Sequence, residues 1–102
     1  MVYNKLVRDK IPDIIRKQGE NPCVRVLDDK AYTHALEQKL DEETAEFHME
    51  KNIEELADIL EVVYALAEDL GSSKAELHSV YEQKHEARGG FRRRMFLISK
   101  DG

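Results

Sequence analysis

One four-residue signal occurs twice in the second half of this chain and fixes where its helices begin. Asn52-x-x-Glu55 and Ser73-x-x-Glu76 are capping boxes, in which the first side chain accepts from a backbone N–H of the opening turn. Gly71 is placed to stop the first of these helices, and Gly89-Gly90 ends the second near Arg88, since glycine readily adopts the left-handed conformation that closes a helix. Upstream, Asp28 or Asp29 caps a helix running to about Glu50, with Tyr32, Leu36, Leu40 and Phe47 at helical spacing. Pro12 fits the first turn of a short helix that ends near Gly19. Asn21–Leu27 reads as a loop or short extended piece, and the tail Phe91–Ile98 as a short strand or an extended arm. The pattern predicts one all-α domain over residues 1–102, an antiparallel helical bundle of three substantial helices and a short N-terminal one.

With 36% charged residues and no Trp among 102, the core has to be economical, and a chain of this kind often shares apolar surface with a second copy. The longest apolar stretch, Val62–Ala67, is far too short for a membrane span. The N-terminus has no apolar run of signal-peptide length. A single cysteine, Cys23, allows no internal disulfide. A cytoplasmic setting without membrane contact is expected. A net charge of −5 argues against a nucleic-acid partner, which would call for a basic face.

The charge is unevenly spread. Between Asp41 and Asp69 lie eleven acids and one base, Lys51, so this segment carries −10 and the remainder +5. Each residue of a helix advances by about 100°, which puts Glu43 within roughly 60° of Leu36, Leu40 and Phe47, in the middle of an apolar stripe. Glu46 lies on the stripe's edge, Glu42 further out, and on the next helix Glu55 falls between Val62 and Leu66, with Asp58 at the border of that arc. Glu54, Glu61 and Glu68, one heptad apart, form an exposed ridge.

Two i,i+3 acidic pairs, Glu43/Glu46 and Glu55/Asp58, therefore face one another across the turn between adjacent helices. Carboxylates in an apolar stripe are costly unless paired or metal-bound. No base within the acidic segment can neutralise them, because Lys51 lies in the turn. Hard oxygen ligands without clustered cysteines favour Mg²⁺, or Mn²⁺, over Zn²⁺. A di-iron centre would need two Glu-x-x-His pairs, and only Glu82-x-x-His85 is present.

The arrangement Glu42-Glu43-x-x-Glu46 followed by Glu55-x-x-Asp58 resembles the signature of the MazG-like all-α nucleoside triphosphate pyrophosphohydrolase superfamily. The run Tyr3-Asn4-Lys5-Leu6-Val7-Arg8-Asp9-Lys10-Ile11-Pro12 resembles that of its short, phosphoribosyl-ATP pyrophosphohydrolase-like members, and Lys84-x-x-x-Arg88-Gly89-Gly90-Phe91 is similar to a further element of the superfamily. The resemblance implies a homodimer or homotetramer that hydrolyses a nucleotide between its α- and β-phosphates, releasing pyrophosphate. It implies Glu43, Glu46, Glu55 and Asp58 as Mg²⁺ ligands, Glu42 as a secondary residue, and Lys84 and Arg88 at the phosphates. Glu46 and Glu43 are the candidate catalytic carboxylates, Glu46 being preferred as base. Lys5, Arg8 and Lys10 are further candidates for phosphate contact, while Arg92–Arg94 reads as a solvated or interface segment. The alternative is a helical oligomerisation or regulatory module that binds metal or nucleotide without turnover.

Overall fold

The computed structural model describes all 102 residues and contains four helices and no strand: α1 (Ile11–Lys17), α2 (Asp29–Met49), α3 (Ile53–Asp69) and α4 (Lys74–Arg88). Each of the three long helices is opened by the side chain its sequence offers. Asp28 accepts from the N–H of Ala31 at 2.9 Å, Asn52 from Glu55 at 3.0 Å and Ser73 from Glu76 at 3.1 Å. Gly71 closes α3 at φ 84°, with the N–H of Ser72 donating to the carbonyl of Ala67 and that of Gly71 to Glu68. This is the paired backbone closure that a left-handed glycine permits.

α2 and α3 form an antiparallel hairpin joined by only Glu50, Lys51 and Asn52. At its open end the Thr33 hydroxyl donates to Asp69 at 2.7 Å. Toward its closed end Glu43 lies beside Asp58. α4 packs on α3 alone, and α1 packs on none of the other three helices. The ten residues before α1 have no regular structure, but Leu6 and Val7 line a cleft against α2 and α3.

The core is small. Only Leu36, Val62 and Ala67 are buried apolar residues, and the single buried polar residue is Glu43. The apolar positions of α3 that the sequence marks most strongly do not all find cover: Ile53, Leu56, Leu60 and Leu70 are exposed. The radius of gyration is 18.0 Å, against about 13 Å for a compact domain of this length. The tail forms no strand. After a turn in which Arg94 N–H donates to the Phe91 carbonyl, it continues as an arm without regular structure, with Phe91 and Phe96 exposed. No helix is long and apolar enough to cross a membrane.

Candidate metal centre

Five carboxylates meet where α2 and α3 face each other near their connecting turn. They form two overlapping groups, Glu42/Glu43/Glu46 and Glu43/Glu55/Asp58, each with its carboxylate oxygens within 4.8 Å of one another. The two predicted pairs thus converge, with Glu43 as the shared member. Glu46 joins Glu42 and Glu43, whereas Asp58 and Glu55 join Glu43 from the other helix. Glu42, a secondary residue in the sequence reading, belongs to the cluster on the same footing as Glu46.

Glu55 stands in two motifs at once, the capping box and the acidic pair. The structure gives its side chain to the pair: the N–H of Asn52, which a complete capping box would present to Glu55, donates instead to the Glu50 carbonyl at 2.8 Å. The Glu55 carboxylate is left free to turn toward Glu43 and Asp58.

Lys51, the one base of the acidic segment, donates to the His48 carbonyl and pairs with none of the five acids, but three bases reach the cluster from outside that segment. Lys5 donates to Glu42 at 2.9 Å, Arg8 to Asp58 at 3.0 Å, and Lys39 bridges Glu42 at 3.0 Å and Glu43 at 3.2 Å. The N-terminal segment therefore lies across the hairpin and is held there by two ion pairs. Sequence reasoning missed Lys39, although its spacing carries the signal: it is one helical turn before both Glu42 and Glu43, where side chains meet. Lys10 is exposed and makes no ion pair. Lys84 and Arg88 are exposed on α4, and no hydrogen bond or ion pair links them to the cluster within one chain.

Five carboxylates against three cations leave a formal −2 when all are ionised, the charge that one divalent cation cancels. Two oxygens, Glu43 Oε2 and Glu55 Oε2, are shut off from solvent and have no hydrogen-bond partner. An unpaired buried acceptor costs about 1–3 kcal/mol, and more when charged. Their titration reflects this. Burial pushes Glu43 above the usual carboxylate range, with Glu46 and Asp58 adding to the rise and Lys39 opposing it. Glu55 is also raised, by desolvation and then by the charges of Asp58 and Glu43. Glu42 goes the other way: burial raises it, but hydrogen bonds from Lys5 and Lys39 together outweigh that and hold it below its ordinary value. Lys5 is correspondingly raised, first by its hydrogen bond to Glu42.

The acids that are paired with bases thus differ from those that are not. Glu43 and Glu55 carry the unanswered oxygens, and a hard cation placed between them would satisfy both. Beside the cluster lies a cleft of about 290 Å³, in which Arg8 and Lys39 stand among Tyr32, Leu36 and Tyr64. It is open to solvent and sits near the lower end of the roughly 300–1,000 Å³ typical of small-molecule sites.

No protein-family model matches the chain, and no solved structure matches it. An uncharacterized protein of Mycolicibacterium smegmatis is 55% identical to it over 42 residues, which are 41% of this chain and 43% of that protein. The match spans less than half the length of this relative. The geometry is that of a helical hairpin with a partly unanswered acidic cluster that could hold a metal ion.

Proposed function

We propose that this chain is a Mg²⁺-dependent nucleoside triphosphate pyrophosphohydrolase of the MazG-like kind, active as a small helical homo-oligomer in clearing surplus or non-canonical nucleotides. Phosphoribosyl-ATP is a variant substrate within the same class. The observation that carries the reading is the pair of buried, partnerless oxygens on Glu43 and Glu55, at the point where carboxylates of two helices converge. Mn²⁺ has the same ligand preference.

Glu43, Glu46, Glu55 and Asp58 are the residues to hold the ion. When bound, it supplies charge neutralisation between two anionic partners and polarisation of the α-phosphate. The chain's own residues do the rest. Glu46 is half-buried and engaged by no base, so its carboxylate is available to take the proton of the water that attacks the α-phosphorus. The bond from the α-phosphorus to the bridging oxygen breaks, and pyrophosphate leaves with the electron pair. Arg8 and Lys39 line the cleft and Lys5 borders the cluster, positions from which each can exchange a carboxylate for a phosphate oxygen through a charge-assisted hydrogen bond.

Self-association belongs to the same proposal. Three buried apolar side chains are few for 102 residues, and exposed apolar positions on α3 offer the missing core. The non-catalytic module is the second reading. It is favoured by the four ion pairs that three bases make with the cluster, which already answer part of the acidic charge as a purely structural cluster would.

The test is pyrophosphate release from a panel of ribo- and deoxyribonucleoside triphosphates with Mg²⁺, comparing wild type with Glu43→Ala and Asp58→Ala. Turnover that both substitutions abolish supports the hydrolase and its site. Turnover that neither affects removes the site assignment, and no release from any nucleotide favours the module.

A further inference from the structure

The cleft between the N-terminal segment and the α2–α3 hairpin changes character along its length. Its near end is the acidic cluster, where Glu43 and Asp58 form part of the wall and Arg8 and Lys39 stand beside them. Glu43 is only 7% exposed there and keeps a partnerless oxygen. Leu36, Val62 and Ala65 make an apolar middle. Tyr32 and Glu68 lie at the far end, next to the Thr33–Asp69 hydrogen bond at the open end of the hairpin. Tyr32 is three helical turns from Glu43, and Glu68 nearly three from Asp58, so the two ends stand about 15 Å apart at about 1.5 Å per residue. Arg8 and Lys39 are the only cationic side chains that line the cleft. Lys74 lies over the Tyr64 ring, 4.5 Å from its centroid, and is not part of the lining. The far end is acidic: the Tyr32 hydroxyl is raised above its ordinary value by burial and then by the charges of Asp69, Glu68 and Asp9. Neither Glu68 nor Asp9 forms an ion pair.

We propose that a nucleotide lies lengthwise in this cleft and that the far end selects nucleobases carrying an exocyclic amino group (cytosine, adenine or guanine) over uracil and thymine. That selection presupposes the nucleotide reading above and adds the nucleobase to it. Length and polarity fix the orientation. Phosphates belong at the end that holds Arg8, Lys39 and the candidate ion site, and an extended nucleotide with its α-phosphate there reaches the far end with its nucleobase. The Tyr32 ring offers that nucleobase an aromatic face. Its hydrogen-bonding edge then meets Glu68 and Asp9. An ionised carboxylate can only accept. Cytosine, adenine and guanine each present amino N–H donors to such a group, whereas uracil and thymine present carbonyl oxygens instead. Against Glu68 a carbonyl sets acceptor facing acceptor, and the hydrogen bond it gave up to water goes unreplaced.

The pair dCTP and dUTP tests this, since the two differ at the amino group and hardly in size. With Mg²⁺ present, kcat/KM for pyrophosphate release and affinity by calorimetric titration are measured for wild type, Glu68→Lys and Asp9→Asn. Wild type is expected to favour dCTP by about tenfold or more, the worth of one hydrogen bond to a charged group, and chiefly through KM. Glu68→Lys exchanges an acceptor for a donor at an exposed helix position, so it should keep the helical circular dichroism and reverse the preference. Asp9→Asn, outside the helices, should narrow it. Equal use of the two nucleotides by wild type, a preference for dUTP, or a preference that neither substitution narrows overturns the nucleobase assignment and leaves the hydrolase standing. No release, with a dCTP preference in binding that Glu68→Lys reverses, supports the assignment and transfers it to a non-catalytic module. No release and no such preference in binding overturns the assignment and the hydrolase together.

Discussion

The two long faces of α3 come from the same helix and differ in almost everything else. Toward α2 it carries Val62, Glu55 and Asp58, and there it meets Leu36, Glu43 and the N-terminal segment, so that nearly all the buried material of the molecule lies on this side. On its outer side it carries Ile53, Leu56 and Leu60, which meet solvent. A protein that cared only for its own stability would fill the inner face with hydrocarbon. This one places a carboxylate, Glu43, as its most enclosed polar group and leaves good apolar side chains outside. The difference teaches that the inner face is organised around an acidic cluster and that the outer face is left without cover within one chain.

The largest effect is expected where the inner face is truncated. Leu36 is 2% exposed, and Leu→Ala at such a position costs about 2–5 kcal/mol, a large share of the stability of a chain with so few buried side chains. Thermal unfolding of Leu36→Ala should lose much of its cooperativity at every protein concentration. Leu60→Ala, on the outer face, should act only at concentrations where copies associate. Equal, concentration-independent losses for the two would erase the contrast between the faces.

Glu43→Gln comes next and has the opposite sign. The charged form of Glu43 is disfavoured by burial, so removing the charge without changing the shape should raise the melting temperature in EDTA, by several degrees if the gain is about 1 kcal/mol. The same substitution should remove most of any stabilisation by Mg²⁺. A lower melting temperature in EDTA would mean that the ion pair from Lys39 outweighs the burial of the carboxylate.

The pH dependence separates the acids within the cluster. Glu43 and Glu55 have folded values above their ordinary one, so the native state binds these protons more tightly than the unfolded chain. Their contribution is present below the ordinary carboxylate value and is lost as pH rises through the raised values. Glu42 is lowered, so its contribution is present above the ordinary value and fades as pH falls through the lowered one. In EDTA, wild type should therefore gain on Glu43→Gln as the pH is brought down from neutrality through the raised value of Glu43. Apparent Mg²⁺ affinity should weaken over the same interval, because protons compete for the same oxygens. Melting curves of the two proteins from neutral pH to about pH 4 check the first point.

The smallest effect concerns the N-terminal segment. Lys5 and Arg8 are both substantially exposed, with side-chain exposures of 42% and 54%, and exposed ion pairs are worth about 0–1 kcal/mol. Lys5→Met should hardly move the melting temperature. In the proposed enzyme it should raise KM for the triphosphate more than it lowers kcat, since its role there is to meet phosphate.

The helices were legible because their ends are written in local chemistry. Asp28, Asn52, Ser73 and Gly71 each act within four residues of the chain, so no tertiary knowledge was needed to place them. The convergence of Glu43 with Glu55 and Asp58 was legible for a related reason, since a three-residue turn leaves adjacent helices little choice but to face each other. The bases were harder. Lys5 and Arg8 approach from 37 and 50 residues away from their partners, through a segment without periodicity, and nothing in their spacing names Glu42 or Asp58. Lys39 was within reach of helical geometry, three and four residues before Glu42 and Glu43, but it stands just outside the acidic run. The exposure of Ile53, Leu56 and Leu60 could not be read at all, because periodicity tells which residues share a face and not what covers it.

The central claim, that the partnerless oxygens of Glu43 and Glu55 mark a divalent-cation site, is tested most directly by melting curves at neutral pH in Mg²⁺ and in EDTA, for wild type and Glu55→Gln. Binding to the native state alone raises stability in proportion to RT ln(1 + [L]/Kd), about 2.7 kcal/mol at a hundredfold excess over Kd. The account predicts a clear upward shift with Mg²⁺ in wild type that is largely lost in Glu55→Gln. Superimposable wild-type curves in Mg²⁺ and EDTA, or a shift that Glu55→Gln leaves intact, would contradict it.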